Sequence, residues 1–154
     1  MRKRTRSREF ALQILYEIDV AGPALEDALA DFWLDRSDLA LSSAEKEAVE
    51  QDKQEPGIRE YTERLARGTL DKLDPIDRVI ERYAENWEMG RMACVDRNIL
   101  RLAAYEMLFV DDIPVKVAIN EAVELAKRYG EADSSKFVNG ILDRIAKTEC
   151  KSKT

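Results

Sequence analysis

The last third of the chain carries a helical repeat of apolar residues, and this repeat constrains the fold more than any other feature. Apolar side chains recur there every three or four positions, at Val115, Ala118, Ile119, Ala122, Val123 and Ala126. Such spacing places them on one face of an amphipathic helix. Pro114 suits the first helical turn and Gly130 suits the stop, so the sequence predicts a packed helix at 114–129.

Similar periodicity runs through most of the 154 residues, whereas strand-like alternation is almost absent. The six glycines and four prolines mostly separate the periodic segments. Helices are predicted at 5–20, 24–34, 43–51, 58–73, 75–86, 95–110, 114–129 and 134–147. We therefore expect an all-α protein with one sizeable core, although two small bundles sharing an interface would also fit.

Some of these helix starts have a local cause. Ser42 and Glu45 form a capping box, and Asp74 precedes Pro75 as a cap before a first-turn proline. Either Asp133 or Ser134 is expected to cap the last helix. We treat residues 1–154 as one domain with a basic arm at 1–8, an acidic connection at 35–57 around one short helix, and a polar tail at 148–154.

The residue types present argue against an enzyme, a metal protein or a secreted protein. The chain has no histidine, and it shows no glycine-rich phosphate loop and no nucleophile beside a recognisable base. Cys94 lies in an apolar neighbourhood and Cys150 in the polar tail, which suggests neither a disulfide framework nor a metal site. We expect no cofactor and a cytoplasmic location, because no apolar run resembles a signal peptide or a membrane span.

Charge is distributed unevenly along the chain. The first eight residues carry +5 from Arg2, Lys3, Arg4, Arg6 and Arg8. The whole chain has a net charge of −6, so residues 9–154 carry −11. A polyanion such as a nucleic acid should be attracted to this arm and repelled by much of the remaining surface. The alternative is a basic terminus that only aids solubility.

A second candidate site lies at the start of the last predicted helix. Ser135, Lys136 and Phe137 fall in its first turn, where backbone amides point outward and favour an anion. Phe137 sits at the margin of the apolar stripe formed by Val138, Ile141, Leu142 and Ile145. The ring either stacks on an unpaired base, with Lys136 and the amides holding phosphate, or belongs to the core.

Four stretches of sequence resemble the NusB family of bacterial transcription antitermination factors. They are REFALQILYEID at 8–19, VDRNILRLAAYEM at 95–107, PVKVAINEAVELAKRYG at 114–130 and DSSKFVNGILDRIA at 133–146. These matches span most of the chain in the family's order. The exception is roughly residues 22–58, which resemble nothing that can be identified.

The resemblance implies two small helical bundles packed on each other and an RNA path that includes Asp133, Lys136, Phe137 and Tyr129. A core position is the alternative for Tyr129. It also implies that Tyr16 and Asp96 engage NusE, a small ribosomal-subunit protein. Tyr16 lies at the edge of its helix's apolar stripe with its hydroxyl near solvent. The alternative for Asp96 is N-terminal capping with compensation of the helix dipole.

The function implied by the resemblance is an RNA-binding transcription antitermination factor. It would recognise boxA-type RNA of ribosomal RNA leaders together with NusE, contact that single-stranded RNA through the basic arm, and act within the RNA polymerase antitermination complex. A second interpretation is a stand-alone RNA-binding module related to the amino-terminal domain of ribosomal RNA cytosine methyltransferases. A third is a helical interaction protein without a nucleic-acid role. The RNA sequence, its affinity and the formation of a homodimer stay open.

Overall fold

In the computed structural model, the described residues are 2–34, 42–85 and 87–150. They contain eight α-helices and a short 3-10 helix at Met89–Arg91, and no strand. The helices are α1 (Arg2–Ala21), α2 (Leu25–Leu34), α3 (Ser43–Gln54), α4 (Pro56–Asp71), α5 (Leu73–Tyr83), α6 (Cys94–Phe109), α7 (Val115–Tyr129) and α8 (Ser134–Glu149). The all-α prediction is confirmed. None of these helices combines the length and apolar character needed to cross a membrane.

The chain divides into two compact units, Met1–Arg67 and Gly68–Thr154. The predicted acidic connection contains α3, as expected, although its residues 35–41 lie outside the described part of the chain. The same holds for residues 151–154 of the predicted tail and for residue 86 at the end of one predicted helix. Helix α1 begins at Arg2 instead of the predicted Thr5, so the described part of the basic segment is helical.

The predicted helix caps are confirmed at one position and wrong at another. The Glu45 amide donates to Ser42 Oγ at 3.2 Å, as the capping box requires. Helix α5 instead begins at Leu73, with Lys72 at the N-cap, so Asp74 is not the cap. Proline is tolerated throughout the first helical turn, where amides lack intrahelical partners, and Pro75 therefore marks the turn without specifying its first residue.

The connection between α7 and α8 leaves no room for a side chain at Gly130. Gly130 ends α7 as predicted, and a Cβ atom there would lie 2.6 Å from Ser134 Cβ and 2.8 Å from the Ala126 carbonyl oxygen. Asp133 occupies the N-cap of α8, but its side chain makes no cap hydrogen bond. The Glu131 amide donates instead to Ser134 Oγ at 2.9 Å, which orients the start of α8.

The core of the first unit is an aromatic cluster between α1 and α2. Phe10, Phe32 and Trp33 meet edge to face, with ring centroids 5.0 to 6.1 Å apart. Ile14 and Ile58 complete the buried cluster with apolar side chains. Edge-to-face pairs of this kind add about 0.5 to 1.5 kcal/mol each beyond the area they bury.

Asp52 of α3 holds the first turns of α1 in the same unit. Arg2 donates to both carboxylate oxygens at 3.1 and 3.2 Å, and Arg6 Nε donates to Oδ2 at 2.7 Å. Burial alone would raise the pKa of the Asp52 carboxyl, but the hydrogen bonds and charges of the two arginines outweigh burial and lower it. Lys3 Nζ also lies 3.6 Å from Oε2 of Glu55, the residue after α3, but this pair is exposed and contributes little.

In the second unit, α5, α7 and α8 pack against α6. The predicted apolar stripe of α8 is buried, with Val138, Ile141, Leu142 and Ile145 facing the core. Arg101 of α6 donates to both carboxylate oxygens of Asp77 at 2.9 Å, which joins α5 to α6. Such a two-pronged pair sets the relative orientation of two helices as well as their spacing.

Two glycines within helices allow a matched test of packing. A Cβ at Gly68 would overlap the Tyr105 ring, whereas a Cβ at Gly140 would meet nothing within 4 Å. Alanine improves helix propensity by about 1 kcal/mol at either site. We expect Gly68→Ala to lower the free energy of unfolding by about 1 to 3 kcal/mol through overpacking, and Gly140→Ala to leave it unchanged or raise it. Urea denaturation measures both, and equal effects would contradict the close approach at Gly68.

A second prediction concerns the pH dependence of the Asp52 interaction. Because its pKa is lower in the folded state than the ordinary value of about 3.9, Asp52 stabilises the fold above that value and ceases to do so as the pH falls through the folded-state pKa. Asp52→Asn should lower the free energy of unfolding by about 1 to 2 kcal/mol at neutral pH. The difference from the unmodified protein should vanish in acid.

Urea denaturation at neutral pH and at several pH values below about 3.9 tests this prediction. Asp143→Asn serves as the control, because Asp143 pairs with Lys147 on an exposed face of α8 at 2.9 Å. An exposed pair of this kind contributes about 0.5 kcal/mol or less. A difference between Asp52→Asn and the unmodified protein that does not shrink as the pH falls below about 3.9 would argue against a carboxylate held by the two arginines.

Candidate nucleic-acid interface

The predicted N-terminal cations lie on the first two turns of α1, in different environments. Arg2 and Lys3 are exposed, and Arg4 and Arg6 are half-buried. Arg8 does not fit the predicted RNA-binding set, because its side chain is only 2% exposed. A guanidinium enclosed by protein cannot meet a phosphate without local unfolding. The sequence alone predicted Arg8 as a surface charge. It could not show otherwise, because the packing of α1 decides which of its side chains are buried.

Lys3 and Arg4 line a groove of about 350 Å³ in the first unit, whereas Arg2 and Arg6 do not. The Arg4 guanidinium lies 3.9 Å from the centroid of the Tyr61 ring, which forms one wall. Lys3 and Arg64 add positive charge at the groove, and Glu60 adds a carboxylate. Sequence reasoning missed Arg64, although it follows Tyr61 by three residues and therefore shares a face of α4 with it.

The first turn of α8 brings together the residues predicted for the second site. Lys136 is exposed, and Ser135 and Phe137 are half-buried. The Ser134 amide donates to the Glu131 carbonyl at 3.1 Å and the Phe137 amide to the Asp133 carbonyl at 3.1 Å. The amides of Ser135 and Lys136 lie between these two bonds at the start of α8. The partial positive charge of a helix N-terminus favours an anion there.

Trp87 lies beside this turn and was missed by sequence reasoning. Its indole is 48% exposed, and its ring meets Phe137 edge to face with centroids 5.7 Å apart. The sequence left two alternatives for Phe137, an exposed stacking platform and a core residue. The structure shows an intermediate case, because the ring is half-buried against Trp87. No local pattern signals this contact, because Trp87 and Phe137 are 50 positions apart in the sequence.

Tyr129 lies at the end of α7 and is exposed, with the Arg128 guanidinium 5.4 Å from its ring centroid. The core alternative for Tyr129 is therefore wrong. An exposed aromatic beside a cation suits contact with a base or another planar group. Its place on the RNA path stays a prediction.

The two predicted partner-binding residues are placed very differently. Tyr16 is 41% exposed, as predicted, and the exposed Val20 one turn later extends an apolar strip along α1. Asp96 is 9% exposed and lies in the first turn of α6, whose N-cap is Ala93. The capping part of the alternative is therefore wrong, whereas an acidic side chain in the first turn does compensate the helix dipole. Asp96 Oδ1 has no hydrogen-bond partner among the residues that the structure describes.

The described residues contain no group of three or more histidine, cysteine or acidic side chains arranged to hold a metal ion. Neither Cys94 nor Cys150 forms a disulfide among the described residues. Cys150 is buried, with Sγ 3.8 Å from the Met107 carbonyl oxygen, so the prediction that it lies in a polar tail is wrong.

Comparison with known proteins identifies relatives over nearly the whole chain. The model of the NusB family matches residues 5–147. The transcription antitermination protein NusB of Anaeromyxobacter sp. (strain Fw109-5) is 48% identical over 94% of this chain and 90% of that protein. The protein of the same description from Bacillus subtilis (strain 168) is 43% identical over 93% of this chain and 94% of that protein.

Solved structures agree with these sequence relatives. T. maritima NusB superimposes with a TM-score of 0.79 and 41% identity, covering 97% of this chain and 95% of that one. A structure of the antitermination factors NusB and NusE in complex with dsRNA matches with a TM-score of 0.74 and 26% identity, covering 96% of this chain and 98% of that one. The family match, the sequence identities and the shared fold together show that this chain belongs to the NusB family.

Proposed function

We propose that the protein is an RNA-binding transcription antitermination factor that recognises boxA-type RNA of ribosomal RNA leaders together with NusE. The observation that carries the proposal is the start of α8, where Lys136, Phe137 and Trp87 adjoin outward-facing helix amides. The relative solved with NusE and dsRNA supports NusE and RNA as partners. Binding is the entire activity in this proposal, and it takes place in the cytoplasm within the RNA polymerase antitermination complex.

The chemistry at the start of α8 fits unpaired RNA. Phosphate oxygens suit the Ser135 and Lys136 amides and the Lys136 ammonium group, while an aromatic side chain suits an unstacked base. Asp133 stands at the N-cap, where its carboxylate offers an acceptor for a 2′-hydroxyl or a base amino group. Tyr129, at the end of the preceding helix, adds a further aromatic surface to the same unit.

The first unit supplies electrostatic attraction in this proposal. Lys3, Arg4 and Arg64 line a groove on a chain whose net charge is −6. Arg2 and Arg6 are held by Asp52, so an RNA phosphate must compete with that carboxylate for them. The accessible cations of this unit therefore form the initial contact, and their contribution should depend strongly on salt.

NusE is assigned to the surfaces that carry Tyr16 and Asp96. Leaving a mostly buried acceptor such as Asp96 Oδ1 without a partner costs about 1 to 3 kcal/mol. A basic side chain supplied by NusE would remove that cost on binding. Tyr16 and Val20 add apolar area that a partner could cover, and aromatic residues of this kind are enriched at interfaces.

The electrostatic part of the proposal predicts a change in salt dependence. Lys3→Ser combined with Lys136→Ser removes two exposed cations, so binding of single-stranded boxA-like RNA should weaken. The slope of log K against log salt should also become shallower by about 1.4, at about 0.7 per phosphate contact. Fluorescence anisotropy at several salt concentrations measures this slope. Lys147→Ser, at the opposite end of α8, is the control, and a slope equal to that of the control would count against both contacts.

Cooperation with NusE is tested by titrating the RNA with and without that partner. We expect NusE to tighten RNA binding at least about five-fold, the low end of ordinary coupling energies, and RNA to tighten NusE binding by the same factor. Asp96→Asn should reduce the coupling, because the neutral amide no longer pairs with a basic group. Asp111→Asn, which changes an exposed carboxylate in the same unit, is the control. Equal RNA affinity with and without NusE would favour a stand-alone RNA-binding module.

A further inference from the structure

Trp87 is held in place although nearly half of its indole is open to solvent. Its amide donates to the Ala84 carbonyl at 2.9 Å, which forms a turn after α5, and its ring packs edge to face on Phe137 with an interplanar angle of 71°. The end of α5 is itself tied to α8, because Arg144 donates to the Tyr83 carbonyl at 2.9 Å. The exposed indole is thus positioned by two helices.

The other tryptophan shows how this fold treats an indole that serves the core. Trp33 is 8% exposed, its Nε1 donates to Glu63 Oε2 at 2.9 Å, and its ring packs against Phe10 and Phe32. Burying a large aromatic side chain is strongly favourable, so an exposed and oriented one is better explained by a ligand than by stability.

The exposed face of Trp87 borders a cleft of about 260 Å³ in the second unit. This volume is below the roughly 300 to 1,000 Å³ of typical small-molecule sites, and therefore suits one planar ring more than a large cofactor. Trp87 and Phe137 form an aromatic wall of the cleft, and Gly140 leaves its floor open. The charged residues at its rim are Lys136, Arg144 and Glu85.

The spacing along α8 creates this cleft. Lys136, Gly140 and Arg144 are four residues apart, so they share one face of the helix over about 12 Å. A Cβ at Gly140 would meet nothing within 4 Å, and the glycine therefore leaves open space between the two cations. Glu85 offers an acceptor at the rim, which suits the exocyclic amino group of a base.

We propose that this cleft binds one unpaired nucleobase of single-stranded RNA, stacked on the indole of Trp87. Phe137 supports the indole from the side, and Lys136 and Arg144 hold the phosphates on either side of the base. The proposal rests on the RNA-binding function proposed above and assigns the stacking face to Trp87 instead of Phe137. Bases within a duplex are already stacked on their neighbours, so the cleft favours a single strand.

Intrinsic fluorescence tests this proposal directly, since the chain has two tryptophans and Trp33 is buried. Single-stranded boxA-like RNA should quench the emission of Trp87, whereas inorganic polyphosphate and the same RNA as a duplex should quench it little. Trp87→Ala should abolish the quenching. It should also weaken binding of the single strand by about 5- to 150-fold, the range for loss of one base–aromatic stack.

Two further variants separate stacking from folding. Gly140→Leu fills the cleft while improving helix propensity, and should weaken RNA binding without lowering thermal stability. Phe109→Ala removes another exposed aromatic of the same unit, which does not line the cleft, and should leave RNA affinity unchanged. Phe137→Ala should add little to the loss already caused by Trp87→Ala, because both act on one base.

The outcomes distinguish this proposal from the function on which it rests. If RNA binds the unmodified protein but Trp87→Ala and Gly140→Leu bind it equally well, the cleft is overturned and the RNA-binding function stands. Equal quenching by polyphosphate would also overturn the cleft, because phosphate cannot stack on an indole. If the unmodified protein binds no RNA, with or without NusE, both proposals fall.

Discussion

Burial of α6 against α5, α7 and α8 is the interaction on which the second unit depends. The apolar stripe of α8 lies in this core, which leaves the opposite face of α8 to solvent along its whole length. Since the helix is rigid, the positions of Lys136, Gly140 and Arg144 follow from the packing of Val138, Ile141 and Leu142. The part of the candidate site that lies on α8 thus inherits its geometry from the core beneath it.

In the first unit, a charge interaction organises the residues that the sequence marked for RNA. Asp52 binds Arg2 and Arg6 and so orders the beginning of α1. The same carboxylate competes with phosphate for these two arginines. The contacts that order the start of α1 therefore make its two arginines less available to RNA. The groove around Lys3, Arg4 and Arg64 remains as the accessible cationic surface.

The local features of the sequence predicted the helices well and their first residues less well. Apolar periodicity located each helix because it reflects the burial of one face, a property of short segments. The capping residue of each helix was harder to predict, because several neighbouring polar residues could each cap the same helix end. Ser42 was correct, whereas Asp133 makes no cap bond and Ser134 accepts from the Glu131 amide instead. Asp96 was taken as a possible cap, but it lies within the first turn of α6.

The sequence by itself determined the all-α class, the approximate helices, the uneven charge and the resemblance to a family. These properties depend on composition, on spacing within a helix and on recognisable strings of residues. Only the tertiary structure decided which charges and rings are available. Arg8 is buried, Arg2 is bound by a carboxylate 50 positions away, and Trp87, which follows α5, lies against Phe137 of α8. Contacts between residues distant in sequence arise from packing of whole helices, and no local pattern encodes them.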